Sequence, residues 1–551
     1  MEIPSIHRRR GALKLVAASA AGIWFPFVGL AQPQPQPNQS GQPKFSSNPF
    51  TLGVASGSPT HDSVVLWTRL LPQGFFGSSL GSDPIPVRWE VADDDKFTRV
   101  VQTGQAVATA GLAHSVHVEV KGLTPDRWYF YRFLAGGAAS PIGRTRTFPA
   151  ANAKVDRLRL AYASCQRWEH GYFSAYRHMR EENLDVVMFL GDYIYEYPGA
   201  ANAVRTLSGG WVTTLDGYRE RYAQHKSDVD LQAMHAHCPW LMTWDDHEVQ
   251  NDYAGLQAGA SSADLSDPAQ FAARRAMAYQ AWYEHMPVRA SVMTQALNGL
   301  RQGAEMRIYS RVPYGQLATL YLLDARQYKD PQPCAKDGKL GSNTFNPASC
   351  DEWLNPARSL LGVQQERWLN EEFKRAKDSN ASNLDRGVWT VLGQQTLFGQ
   401  RDFKPGPEQT LWNDGWDGYP AARKRLTDAL SNNAVVNPVL LGGDVHENWV
   451  GQVKVDYANP QSGNVGVEFC GTSITSRSGN ASKAKTDEWL AENPHFTFAD
   501  TKAKGYGVVE FTPKSLTTTL RVVDDVTRKD TQIQTLARFE VQAGRAEVER
   551  A

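Results

Sequence analysis

Six apolar runs in this chain close in the same way, and that repetition limits the fold more than any bulk property. Val186-Val187-Met188-Phe189-Leu190 runs into Gly191-Asp192-Tyr193-Ile194-Tyr195-Glu196. Leu158 to Ala163 ends in Ser164-Cys165-Gln166, and Trp240 to Trp244 ends in Asp245-Asp246-His247-Glu248, with Asn251 close behind. Ala318 to Leu323 leads to Asp324-Ala325-Arg326-Gln327-Tyr328, Gly387 to Leu392 to Gly393-Gln394-Gln395, and Pro438 to Leu441 to Gly442-Gly443-Asp444-Val445-His446-Glu447-Asn448. Short apolar runs stopped by glycine and polar turns read as buried strands. Helical stretches such as Phe173 to Glu182 and Ala269 to Met286 lie between them, so residues 155–551 read as an α/β layered domain. Ligands of open α/β sheets collect at the carboxyl ends of the strands. Several strands would then deliver Asp, His, Asn, Tyr and Cys to one edge.

Such a gathering has an electrostatic consequence. Carboxylates crowded at one buried edge repel each other, and cations remove the repulsion. Asp192 suits a carboxylate that bridges two metals, and a two-metal clamp can bind a phosphoryl group and generate hydroxide near neutral pH. Tyr195 can turn back beside Asp192 and offer a phenolate oxygen. Each residue also has a structural alternative. Cys165 could be a buried thiol, Tyr195 could pack, and Arg326 could pair with Asp324. Asp245 reads as a turn cap and stays outside the site. His235 and His237 read as structural, Gln394 and Gln395 as supports, and His495 as a loop residue that could reach the cleft.

The N-terminal third differs in texture. Arg8-Arg9-Arg10 precede a mostly apolar segment ending at Gly29-Leu30-Ala31, so residues 1–31 read as a twin-arginine-type signal peptide. Residues 32–45 are a Pro/Gln-rich, disordered linker. Alternating stretches around Ser63–Arg69, Val87–Val91, His114–Val120 and Trp128–Phe133 predict a small all-β, Ig/fibronectin-like sandwich over residues 46–150. His114 and His117 differ in parity and make poor co-ligands. Export would permit disulfides, and five cysteines leave at least one unpaired in a monomer. Cys334 and Cys350 are the expected bridge, and Cys238 and Cys470 read as buried thiols. A formal net charge of zero gives no bulk attraction to nucleic acid, and no segment after the signal is apolar enough to insert stably in a membrane. Gly505 to Phe511 and Leu516 to Val523 read as hairpin strands, and Gly544 to Ala551 as a frayed tail.

Phe50-Thr51-Leu52-Gly53-Val54-Ala55-Ser56-Gly57 and Val64-Val65-Leu66-Trp67-Thr68-Arg69, with the Cys165, Asp192, Asp245-Asp246, Asp324 and Asp444 motifs, resemble the PhoD-type alkaline phosphatases and phosphodiesterases. That family belongs to the calcineurin-like, purple-acid-phosphatase-like metallophosphatases. The resemblance implies an α/β fold with a four-layer αββα core behind the sandwich, a periplasmic or extracellular location, and the twin-arginine export machinery as partner. It implies Fe3+ and Ca2+ as cofactors, and hydrolysis of small or polymeric phosphate mono- or diesters by metal-activated hydroxide or oxide attack on phosphorus. By matching, Cys165 takes the place of an Asp in broader metallophosphatases and would ligate iron as thiolate, with Asp192, Tyr195 and His446. Asp192 would also bridge to calcium, with Asp246, Asn251 and Asp444 as oxygen ligands. His247 would donate to the phosphoryl or leaving oxygen, and Arg326 would hold a phosphate oxygen in its fork of donors. No Gly-x-Ser-x-Gly elbow supports a serine hydrolase. Alternative readings are a phospholipase D-like phosphodiesterase and a secreted binding protein with a degenerate site.

Overall fold

Parity along each strand decides which way its side chains face, and here it sorts the core into layers. A computed structural model describes residues 44–551 except 75–79, 260–266, 294–304, 337–340, 379–386, 460 and 480. The expected signal peptide and nearly all of the linker lie outside the described residues. In the strand Leu158–Ala163, Leu158, Leu160 and Tyr162 join one buried cluster, while Ala161 and Ala163 join another. Val186–Phe189 divides alike: Val186 and Met188 face the first cluster, Val187 and Phe189 the second. The first cluster also takes Leu320, Leu322, Val391, Val439, Leu441, Val467 and Phe469 from a second sheet, so it fills the space between two sheets.

The larger sheet has ten strands, in the order Glu549–Arg550, Ile533–Gln542, Ser515–Val523, Lys504–Phe511, Leu158–Ala163, Val186–Phe189, Trp240–Met242, Val54–Gly57, Ser63–Arg69 and Ser115–Lys121. The second has seven, in the order Ser310–Tyr314, Ala318–Leu322, Trp389–Gly393, Pro438–Gly442, Asn464–Cys470, Asn448–Lys454 and Phe496–Asp500. The ligand-bearing strands run parallel within each sheet, so their carboxyl ends share an edge. Helices cover the outer faces. Ala175–Met179, Leu215–Lys226, Val229–His235 and Pro268–His285 supply the cluster on the larger sheet, and Gly362–Asp378 and Pro420–Asn432 supply that on the smaller. Their starts carry the usual signals: Thr214, Asp228 and Asp267 accept from the first free N–H groups, and Pro268 and Pro420 open their helices.

Two expectations change. The N-terminal region does enclose its own cluster, between Val64, Leu66, Val116 and Val118 on one side and Val87, Val91, Tyr131 and Phe133 on the other. Its two sheets are not self-contained, however. Val54–Gly57, Ser63–Arg69 and Ser115–Lys121 are the edge of the ten-stranded sheet, joined where Gly57 pairs in parallel with Trp240. Strand pairing between distant segments leaves no local trace in a sequence, which is why the region reads as a separate sandwich. The tail is also not wholly frayed: Glu549–Arg550 pairs with Phe539 and Glu540. Cys334 and Cys350 form a disulfide with Cα atoms 5.8 Å apart, and Cys165, Cys238 and Cys470 are buried free cysteines.

One buried charge has a measurable consequence. Lys226, at the end of its helix, is 2% exposed, with its ammonium 4.2 Å from the Trp67 ring centroid. Burial pushes its pKa down to about 7. An unfolded lysine keeps its proton to about pH 10.4. Between these values the unfolded chain binds more protons, so stability rises with pH, and below the lower value the whole penalty is present. Lys226→Met is therefore expected to stabilise the protein by a few kcal/mol (order of magnitude) at or below neutral pH, with the gain fading toward about pH 10.5. Urea unfolding at both ends of that window measures it; an equal gain at both would refute the burial argument.

Candidate metal centre

Four turn residues hold an unusual backbone. Cys165, Asp192, Asp444 and His446 have φ of 60°, 59°, 63° and 59°, the left-handed region that non-glycine residues rarely occupy. The preceding Gly191 has φ 110°, and a Cβ there would lie 2.5 Å from the Asp245 backbone nitrogen, so two ligand-bearing turns touch through a glycine. Glu248, 1% exposed, binds them together: its carboxylate accepts from the backbone N–H of Asp192 at 3.1 Å, Tyr193 at 2.6 Å and Asp245 at 2.9 Å. The Cys165 turn joins the same assembly through its N–H to Gly191 O at 3.0 Å.

Side chains then meet in linked groups. Cys165, Asp192 and His446 place their ligand atoms within 4.8 Å of one another, as do Asp192, Asp246 and His247, and Asp245, Asp246 and Asp444. Asp192 is shared by the first two groups and Asp246 by the last two. Tyr195 Oη donates to Asp192 Oδ2 at 2.9 Å and lies 3.2 Å from His446 Nε2. His446 Nδ1 is 2.9 Å from Arg477 O, so Nδ1 carries the proton and Nε2 turns its lone pair toward the group. Asn251 sits on the adjoining turn, its backbone N–H donating to Glu196 at 2.8 Å.

The charge state of these groups fits a cation. Burial, then the Asp192 charge, pushes the Cys165 thiol well up, so a thiolate there needs a positive ion beside it. Burial also raises the Asp192 carboxyl, with Asp246, Glu248 and Asp444 adding to the effect. Burial pulls His446 down to about 3, leaving the neutral imidazole that a metal requires. Asp245 keeps one buried oxygen, Oδ2, without a hydrogen-bond partner among the described residues. Sulfur, phenol, imidazole and carboxylate donors gather on the Cys165 side, and on the Asp444 side Asp245, Asp246 and Asp444 offer oxygen alone, as hard cations prefer.

His247 and Arg326 occupy different positions from each other. His247 Nδ1 lies 2.7 Å from Glu196 Oε2, and its ring is 4.1 Å from the Tyr195 ring. Against the effect of burial, Asp246, Glu196 and Asp192 hold its pKa well above the ordinary value. Arg326 lies beneath the carboxylates, 2% exposed. Its Nε bonds Asp245, its Nη1 bonds Asp414 at 2.6 Å, and its Nη2 is 3.7 Å from both Asp246 and Asp444. Two of the three nitrogens of the fork are thus engaged, and the expected grip on a phosphate oxygen would fall to Nη2. The alternative pair with Asp324 is absent, since that carboxylate accepts the Arg326 backbone N–H instead.

Other positions separate cleanly. Asp245, read as a turn cap, is the ion-pair partner of Arg326 and a member of the acidic group. Gln395 ties three strand ends, donating to Thr243 Oγ1, Trp244 O and Leu323 O and accepting from Ala325 N. His235 bonds Tyr193 Oη at 2.8 Å and stacks on Trp240. His495 bonds Gln400 O at 2.8 Å and belongs to none of the ligand groups. Sequence reasoning missed Asp414, whose Asn413-Asp414-Gly415 setting looks like an ordinary turn, and assigned no role to Glu196 or Glu248, although both lie inside motifs it singled out.

Comparison with known proteins agrees over nearly the whole chain. Residues 160–520 match the family described as PhoD-like phosphatase, and residues 34–149 match its N-terminal domain. The chain is 44% identical over 504 residues to "Alkaline phosphatase D" of Bacillus subtilis (strain 168), covering 90% of this chain and 81% of that one. It superposes on a solved "Structure of PhoD" with a TM-score of 0.83 at 42% identity, covering 92% of this chain and 93% of that one.

Proposed function

Because the chain belongs to the PhoD-like phosphatase family and is a phosphoric ester hydrolase, we propose that it is an exported enzyme that cleaves phosphate mono- or diesters at a centre of Fe3+ and Ca2+. The observation that carries this reading is the chain of shared carboxylates: Asp192 belongs both to the group with Cys165 and His446, beside Tyr195, and to the group with Asp246 and His247, and Asp246 in turn belongs to the all-oxygen group with Asp245 and Asp444. We assign Cys165, Asp192, Tyr195 and His446 to iron, and Asp192, Asp246, Asn251 and Asp444 to calcium. When bound, the ions supply Lewis-acid charge for the phosphoryl oxygens and lower the pKa of water.

The protein's own groups do the rest. Glu196 holds His247 through Nδ1, which leaves Nε2 to donate a proton to the leaving oxygen. Thr396 Oγ1 donates to Asp444 Oδ2 at 2.7 Å and orients it. Arg326 balances the carboxylates, opposing the rise that burial gives Asp245 and Asp444. The paired sheets with helices outside fit the four-layer αββα arrangement of metallophosphatases, and the N-terminal region covers one end of the larger sheet. Residues 1–31 act as the export signal in this reading. No helix among the described residues is long and apolar enough to cross a membrane.

Elemental analysis of the exported protein, paired with mono- and diester assays, tests the proposal. Iron and calcium are expected in stoichiometric amounts, chelation is expected to abolish turnover, and Cys165→Ala is expected to lose iron together with visible absorption. Full activity in protein free of metal, or an unchanged spectrum in the variant, would refute the assignment.

A further inference from the structure

A row of rings leads from the metal centre to solvent. His247, 4.1 Å from the Tyr195 ring, is 5.2 Å from the Tyr197 ring, and Tyr197 is 5.1 Å from Trp211 with the two planes at 80°. Trp211 is 49% exposed, and among the described residues it is the one aromatic side chain in the set of exposed large hydrophobics. A single exposed ring is ordinary on a protein surface; this one is set apart because it ends a row of rings that begins at the metal centre.

Its support is built rather than incidental. Arg221, 2% exposed, donates through Nη1 to Tyr195 O and to Tyr197 O at 2.8 Å, and through Nη2 to Gly210 O at 3.1 Å. Val212 N donates to Glu196 O at 2.9 Å. The residues on both sides of Trp211 are thus fastened to the stretch that carries Tyr195 and the His247 partner Glu196. Arg167, two residues beyond Cys165, lies over the Tyr197 ring at 4.9 Å and is itself held by Glu169 at 2.6 Å. Tyr197 thus touches both the Arg167 guanidinium and the Trp211 ring.

We propose that Tyr197 and Trp211, backed by Arg167, form a subsite for the organic part of the ester, selecting substrates whose alcohol carries a flat ring, such as an aryl or nucleobase-bearing group. The ring lies against the indole while the phosphorus sits over the metals, and the cation of Arg167 favours an anionic ester beside it. This inference rests on the phosphatase reading and adds the substrate class to it.

The test compares kcat/KM for phenyl phosphate and diphenyl phosphate with that for glycerol 2-phosphate and the bis-glycerol diester, using the full-length, metal-loaded protein. Trp211→Ala is expected to lower the preference for phenyl over glycerol esters about tenfold, and Trp211→Phe to restore most of it. A ratio unchanged by Trp211→Ala, or equal losses on both kinds of ester, overturns the subsite. If the unsubstituted protein hydrolyses none of the four esters, the phosphatase reading itself fails, and that is seen before any variant is compared.

Discussion

Asp192→Asn is expected to reduce ester hydrolysis roughly a thousandfold or more while leaving the protein folded. Asp192 belongs to two of the ligand groups, so losing its charge weakens both at once. A Lewis-acid contribution of several kcal/mol corresponds to a factor of this size. The fold should persist because the amide oxygen can still accept from the His247 backbone N–H, while the amide nitrogen donates to Tyr195 Oη, whose proton can turn to His446 Nε2. In metal-free protein the variant should even melt no lower than its parent, because one of several mutually repelling buried carboxylates is gone. With metals present the order should reverse. Steady-state rates and thermal melts with and without chelator read both effects. Hydrolysis at the parental rate would show that Asp192 is not the shared ligand.

Arg326→Met should act on stability instead. Removing the guanidinium strands Asp245 and Asp414 beside Asp246 and Asp444, and orphaning a buried ion-pair partner costs roughly 3–5 kcal/mol. Lysine cannot replace it fully, because one ammonium cannot serve Asp245 and Asp414 in two directions. Burial opposes the ionisation of Asp414, yet Arg326 and then Lys329 hold its pKa below the ordinary carboxylate value. A carboxyl lowered in the folded state stabilises above its unfolded pKa of about 3.9, and that contribution is lost as pH falls through the folded value. The deficit of the variant should therefore shrink in acid. Urea unfolding at neutral pH and near pH 3 tests this; a neutral-pH loss under about 1 kcal/mol would mean that Arg326 is not the counter-charge.

Much of this centre is legible in the primary structure because its ligands sit where strands stop. An apolar run ending in Gly191-Asp192, or in Gly443-Asp444, announces a buried turn with a carboxylate on it, and parallel strands bring such turns together. What cannot be read is what the second rank of side chains does. Glu248 looks like one more acidic residue in a motif, yet it fastens two turns through three backbone N–H groups. Arg326 has the chemistry of a phosphate clip, and only the three-dimensional neighbourhood, with Asp414 contributed from 88 residues away, shows two of its nitrogens paired with carboxylates. Sheet membership is hidden for a related reason. Gly57 and Trp240 are neighbours only after the chain has doubled back, so Val54–Gly57 reads as part of a small separate sandwich.

The strand that ends at Cys165 is flanked on one side by Lys504–Phe511, and Cys165 O accepts from Ser476 Oγ, 311 residues later. One side of the cysteine pocket is therefore built from the last part of the polypeptide, while the other comes from the neighbouring strand Val186–Phe189. A chain cut short before Lys504 would lack the strand that lies beside Leu158–Ala163, and so one side of the turn that carries Cys165.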